Sequence, residues 1–215
     1  MITDRIDSVT RIPPEYMKAA PPAPKSVKIE ISPRCNYRCG FCALRNREVQ
    51  PKWDMDFELF KRITREMSAA GVQEIGVFYL GESFMGPRLL VDCIAYLKSE
   101  LAMPYVFLTS NASMAFPEAI EACMKAGLDS LKWSVNAADE EQFEKIMGVS
   151  GRLFQRALDN IRAAWDPAWQ DRGQHKGTGQ SLHRRVQSQN GRWIWIKRHG
   201  SAFGNSNDGL RKRCF

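Results

Sequence analysis

Residues 26–42 read SVKIEISPRCNYRCGFC. In the first seven, Val27, Ile29 and Ile31 alternate with polar neighbours, which is the period of a strand with one buried face. Three cysteines, Cys35, Cys39 and Cys42, follow on the segment that leaves this strand. What comes next along the chain decides which kind of sheet receives it.

Working outward, Asp54-Met-Asp-Phe opens a helix with Phe57, Phe60, Ile63, Thr64 and Met67 on one face and Gly71 as its stop. Glu74–Leu80 (EIGVFYL) reads as a buried strand, and Pro87–Leu101 as a helix that starts on proline and keeps Leu90, Ile94 and Leu97 in step. Tyr105–Thr109 gives a third strand, Pro117–Ala126 a helix ended by Gly127, and Ser130–Asn136 (SLKWSVN) a fourth strand. Helical patterns over Asp139–Met147 and Arg152–Trp165 close the series. Strands alternating with helices through short connections predict an α/β fold: a parallel sheet with right-handed crossovers, the opening of a (β/α) barrel with about four strands. Upstream, residues 1–25 are proline-rich (Pro13, Pro14, Pro21, Pro22, Pro24) and read as an extended lead-in.

After Trp165 the pattern fails. The last 50 residues hold 13 hydrophobic ones, seven of the chain's fifteen glycines and all three histidines, His175, His183 and His199. Only Arg192–Lys197 (RWIWIK) shows any period, so residues 166–215 are expected to be a disordered basic tail. The net charge of +7 is located there: the tail carries 10 Lys/Arg against 3 Asp/Glu, while residues 1–165 carry 21 of each. Two compositions are joined, giving three segments: a lead-in over 1–25, a folded domain over 26–165 and the tail over 166–215. Reading a GC-rich gene out of frame beyond about codon 165 would produce such a change, and the coding DNA would test that reading. Asp4, Arg5 and Asp7 stand where a secretory leader needs an apolar run, and no stretch approaches the ~18 uncharged apolar residues of a membrane span. The expectation is a soluble, cytoplasmic protein with no membrane partner.

Of the six cysteines, Cys93 and Cys123 fall inside helical patterns and read as core, and Cys214 lies in the tail. The other three form a compact trio of soft sulfur donors, suited to zinc or an iron–sulfur cluster. Structural zinc sites want four closed ligands, usually two pairs, and here no second pair exists and no histidine precedes His175. Three thiolates on a four-iron core would leave one iron open. A zinc site completed from a distance and unligated cysteines are the alternatives.

Cys35-Asn-Tyr-Arg-Cys39-Gly-Phe-Cys42 resembles the CxxxCxΦC signature of the radical S-adenosylmethionine (SAM) superfamily, with Phe41 as the aromatic before the last cysteine. The resemblance covers about Pro24 to Trp165. It implies a [4Fe–4S] cluster on Cys35, Cys39 and Cys42 whose open iron binds SAM. Reductive cleavage of SAM then gives a 5′-deoxyadenosyl radical that takes a hydrogen atom from a substrate. An electron donor of flavodoxin or ferredoxin type is implied as partner. Tyr79-Leu80-Gly81-Glu82-Ser83 is similar to the family's GGE motif, which implies that Gly81 and Glu82 meet the SAM ammonium, with Leu80 replacing the first glycine. Asn111, after the third strand, is implied at the ribose; Ser134 and, more weakly, Asn136, after the fourth, at the SAM carboxylate. Substrate and catalytic residues stay unknown. A full barrel of this family has six strands against four here, so the chain reads as a truncated member with an exposed edge on its fourth strand. Two further readings stand beside it. One is a nucleic-acid-binding protein using Arg184-Arg185, Lys197-Arg198 and Arg211-Lys212-Arg213 with Trp193 and Trp195, the less favoured partner. The other is an inactive iron–sulfur scaffold.

Overall fold

The computed structural model describes residues 12–165 and the backbone of 183–187 and 193–197. Four strands, β1 (Ser26–Lys28), β2 (Glu74–Gly76), β3 (Tyr105–Ser110) and β4 (Ser130–Trp133), form one sheet in the order β1-β2-β3-β4. All three pairings are parallel, with Val27 opposite Ile75, Ile75 opposite Val106, and Leu108 opposite Leu131. The helices are α1 (Phe57–Ala69), α2 (Pro87–Ser99), α3 (Pro117–Lys125), α4 (Glu140–Met147) and α5 (Arg152–Trp165). Strand and helix alternate from β1 through α4, as the periodicities require.

Ile29, Ile31, Ile75, Val77, Val106 and Leu108 are buried in one core with Phe60, Leu90, Ile94 and Leu97 from the helices. Cys93 and Cys123 are buried in that core too, as the helical pattern implied. Each fully buried aliphatic side chain contributes about 1.5–3 kcal/mol, so the shared face is what holds sheet and helices together. The strands are shorter than their alternating segments because backbone pairing ends before burial does: Ile31 lies beyond β1 and is still fully buried.

Helix ends follow local chemistry. Asp56, not Asp54, caps α1 by accepting from the Leu59 amide at 2.8 Å, and Asp139 caps α4 by accepting from Gln142 at 2.8 Å. A cap of this kind is worth ~1 kcal/mol. The stops expected at Gly71 and Gly127 both have positive φ.

The disorder expected of the tail does not extend to two of its segments. β5 (His183–Gln187) and β6 (Trp193–Lys197) pair antiparallel, with Val186 opposite Ile194 and Arg185 opposite Trp195. β-branched and aromatic residues favour strands, and the reading found them only in the second segment because HRRVQ is dominated by charge. β5 lies against β4 without a shared ladder, a neighbour of β4 that the sequence did not foresee. The remaining tail, with Cys214, and residues 1–11 of the lead-in lie outside the described residues. Among the described residues no helix is long and apolar enough to cross a membrane.

Candidate functional site

The cysteine loop leaves β1 and is held from below and from its flanks. Tyr37, inside the first cysteine interval, is buried and packs edge-on against Phe143 of α4, with ring centroids 5.3 Å apart at 89°. Met147, at the end of the same helix, brings its Sδ to 3.4 Å from Cys39 Sγ. The Arg38 amide donates to the Met147 carbonyl and the Gly40 amide to that of Ile146. Gly148 then turns away at φ +63°, and a Cβ there would sit 2.6 Å from the Arg38 carbonyl oxygen. The close contact between loop and helix end therefore needs glycine at this position.

Above that floor, the Gln50 carboxamide pairs with both polar groups of the Cys35 main chain. It accepts from the Cys35 amide at 3.2 Å and donates to its carbonyl at 2.9 Å. Arg38 and Arg45 donate to the carbonyls of Arg47 and Gly40, and Arg47 to that of Pro33. Arg34 forks onto Asp54, with Nε to Oδ1 at 3.0 Å and a terminal nitrogen to Oδ2 at 2.5 Å, while Ser32 Oγ donates to the same carboxylate. Asp54 is therefore spent on a clamp that ties the loop's two ends together.

The three thiols are free and part-buried. Burial pushes Cys35 up to about 11, with repulsion from Glu82 and the other two sulfurs adding to it; Cys39 rises to about 11 for the same leading reason. Both are neutral thiols at pH 7 without a metal, so ligation must displace protons. Among the described residues no three Cys, His, Asp or Glu side chains form a group that could hold a single metal ion. The fit to a cluster rests on the donor set: three soft, part-buried sulfurs on one braced loop, with Cys42 Sγ accepting from the Leu44 amide at 3.4 Å. Phe41 is exposed on this loop.

Beside the loop runs the turn that follows β2. A Cβ on Gly81 would lie 2.0 Å from the Ser32 carbonyl oxygen and 2.9 Å from that of Arg34, so main chain meets main chain here and glycine is obligatory. No such demand falls on Leu80, whose φ is not positive. The departure from a double glycine is thus tolerated by the backbone. Glu82 donates its amide to the Arg34 carbonyl at 2.7 Å, linking turn and cysteine loop directly. Its carboxylate is buried at 2% exposure. Oε1 accepts from the Phe84 amide (3.1 Å) and Ser110 Oγ (2.9 Å), and Oε2 from the Asn111 amide (2.7 Å). Burial raises its pKa against the pull of those three donors.

The ends of β3 and β4 complete the arrangement. Asn111 accepts from the Ser113 amide and hydroxyl on Oδ1 and donates from Nδ2 to Asn36 Oδ1 at 2.9 Å. Asn36 in turn donates to Ser113 Oγ at 2.8 Å. Tyr37 donates to the Asn111 carbonyl, and Asn160 of α5 donates to the carbonyl of Ala112. The Ser134 amide donates to the Ser110 carbonyl, and its hydroxyl makes no hydrogen bond among the described residues. The structure therefore joins Cys35, Glu82 and Asn111 in one bonded network at the carboxyl ends of the strands, where parallel α/β folds place their sites. Ser134 joins it through the main chain. Sequence reasoning missed Asn36, Tyr37, Gln50, Ser113 and Asn160. Asn36 and Tyr37 sit inside the motif itself, and their polar and aromatic character was the available signal.

A model of the family described as Radical SAM superfamily matches residues 29–166. The chain is 31% identical over 161 residues to the S-adenosylmethionine-dependent nucleotide dehydratase RSAD2 of Danio rerio, which covers 73% of this chain and 42% of that protein. It is 28% identical over 142 residues to the probable GTP 3′,8-cyclase of Thermococcus kodakarensis, covering 65% of this chain and 43% of the relative. The chain thus spans about two fifths of the length of these curated relatives. Among solved structures, Streptococcus suis SuiB bound to S-adenosylmethionine superposes with a TM-score of 0.51 at 23% identity, over 67% of this chain and 33% of that one. The AdoMet-bound anSMEcpe structure gives 0.53 at 15%, over 68% and 42%. At these identities the likeness concerns the fold.

Proposed function

Because the chain belongs to the radical SAM superfamily, whose members use a [4Fe–4S] cluster and SAM, we propose that Cys35, Cys39 and Cys42 hold that cluster here and that SAM binds against the carboxyl ends of β1 to β4. One observation carries this reading: three free, part-buried thiols on a braced loop, bonded through Arg34 to the Gly81–Glu82 turn. When bound, cluster and SAM together supply one-electron cleavage to a 5′-deoxyadenosyl radical for hydrogen abstraction. The protein's part is to hold and to orient.

Gln50 fixes the Cys35 main chain and the end of α4 packs on Cys39, so the loop that carries the sulfurs is braced before a cluster binds. The 79–82 turn offers carbonyls and the negative charge of Glu82 to an ammonium. Glu82 Oε2 accepts one bond from the chain and retains a lone pair. Asn111 retains one Nδ2 hydrogen beyond the one given to Asn36, which it can offer to the ribose. The Ser134 hydroxyl is available to the SAM carboxylate. Phe41 presents an exposed aromatic face on the loop to the cofactor. The superfamily requires a reductant, and an electron-donor protein of flavodoxin or ferredoxin type fills that role. The five described cysteines are all free, which suits a reducing, cytoplasmic setting.

Anaerobic reconstitution tests the assignment. The full chain should take up roughly four irons with a broad visible shoulder. Changing Cys35, Cys39 or Cys42 to Ala should abolish uptake, and Cys93→Ala should leave it intact. Tight zinc binding with no cluster would defeat the reading.

A further inference from the structure

Glu30 lies between the buried Ile29 and Ile31, and so on the opposite face of the extended segment that continues β1. Its Oε1 accepts two consecutive main-chain amides of the turn after β2, from Leu80 at 2.9 Å and from Gly81 at 2.7 Å. Successive N–H groups converging on one point make an anion-binding concavity. Here the chain fills it with its own carboxylate.

The consequence lies on the other side of the same peptides. In a trans peptide the C=O points opposite to the N–H. With the Leu80 and Gly81 amides both turned onto Glu30, the carbonyls of Tyr79 and Leu80 must both turn away from it. Among the described residues neither carbonyl accepts a hydrogen bond. Tyr79 and Leu80 are exposed, so this pair of acceptors, two and three residues before Glu82, is open to a ligand. The Glu82 amide is tied to the Arg34 carbonyl at 2.7 Å, and main-chain oxygens fill the space where a Gly81 side chain would go. These contacts hold the Gly81–Glu82 end of the turn, and Glu30 holds the two peptides before it.

We propose that Glu30 is a positioning residue for the amino group of SAM: it locks the Tyr79 and Leu80 carbonyls into an acceptor pair that receives the ammonium. The inference rests on the SAM-binding reading above. It also accounts for Leu80, since orientation by Glu30 replaces the conformational latitude that a second glycine would give.

The test compares two ligands on the reconstituted full chain by calorimetry. One is S-adenosylhomocysteine; the other is its deamino analogue, which keeps the adenosine and carboxylate and lacks the ammonium. Glu30→Ala should weaken S-adenosylhomocysteine by roughly 10-fold or more, the scale of one hydrogen bond to a charged group, and leave the deamino analogue unchanged. Glu30→Gln, whose carbonyl oxygen still accepts both amides, should restore wild-type affinity. If Glu30→Ala loses its iron, Glu30→Asp, which withdraws the acceptor by one methylene, should show the same selective loss. Equal weakening of both ligands would mean a merely structural role. A Gln variant as weak as the Ala variant would mean that the charge of Glu30 itself is used. Either result, or an unchanged Ala or Asp variant, overturns the proposal. Failure of the wild type to bind S-adenosylhomocysteine would instead remove the SAM-binding reading, and the proposal with it.

Discussion

Replacing Glu82 by alanine should cost the metal-free protein roughly 3–5 kcal/mol. The figure follows from what the carboxylate touches. Three buried or part-buried donors, the amides of Phe84 and Asn111 and the Ser110 hydroxyl, terminate on its two oxygens. Each buried donor left without a partner costs about 1–3 kcal/mol. Part of that sum is returned because a buried charge is removed and the Ser110 hydroxyl can rotate to a new acceptor. Glu82→Gln should fall in between: in either orientation of the amide, its NH2 group faces an N–H donor, of Phe84 or of Asn111. The pH dependence has a defined sign. Since the folded pKa lies above the usual carboxylate value, the folded form holds its proton after the unfolded form has lost it. The wild type should therefore lose stability as pH rises from about 4.5 through the folded pKa, and Glu82→Gln should not. Urea unfolding of the apo protein followed by circular dichroism, at several pH values, measures all of this. A Glu82→Ala variant within 1 kcal/mol of the wild type would refute the reasoning, because a solvated loop carboxylate behaves that way.

Gly81→Ala should be more disruptive than its size suggests, since the added methyl meets the Ser32 carbonyl at 2.0 Å; a loss of more than roughly 3 kcal/mol is expected, and unfolding curves would show it. Leu80→Gly, one residue earlier and under no such constraint, should change stability by less than about 1 kcal/mol. In the apo protein, alkylation of Cys35 and Cys39 by iodoacetamide should be slow at pH 8 and accelerate towards pH 11, because burial holds both thiols neutral. The same shifts mean that apo stability is fully present below about pH 9 and declines from there to pH 11; rapid labelling of both at pH 7 would show that the loop is open. Asn160→Ala should remove one of the two donors on the Ala112 carbonyl, which keeps the Ala115 amide at 3.1 Å, and cost about 0.5–1.5 kcal/mol by thermal unfolding.

The alternation of strands and helices was readable because burial imposes periods of 2 and 3.6, and residues from Ser26 to Trp165 obey them. The cysteine trio was readable because three soft ligands within eight residues have few other uses. Glu30 was not. It sits among alternating polar positions of SVKIEIS, and nothing local marks which polar residue will reach a turn 50 residues away. Gln50 escaped for the same reason. Asp54 looked like part of a helix start and instead serves Arg34, because two aspartates two residues apart compete for one cap and geometry chooses Asp56. Glu82 was found by its motif, but its burial and its three donors depend on β3 lying beside β2, a relation local pattern does not carry. His183–Gln187 was missed because its charges outweigh its single β-branched residue until a partner strand is present.

The most direct test of the cluster-and-SAM assignment is the electron paramagnetic resonance spectrum of the dithionite-reduced, reconstituted chain, recorded before and after SAM is added. The expected result is a [4Fe–4S] signal whose g-values shift with SAM, with the signal absent in Cys35→Ala, Cys39→Ala and Cys42→Ala. A cluster signal that SAM leaves unchanged, or one that survives loss of any of these three cysteines, would contradict it.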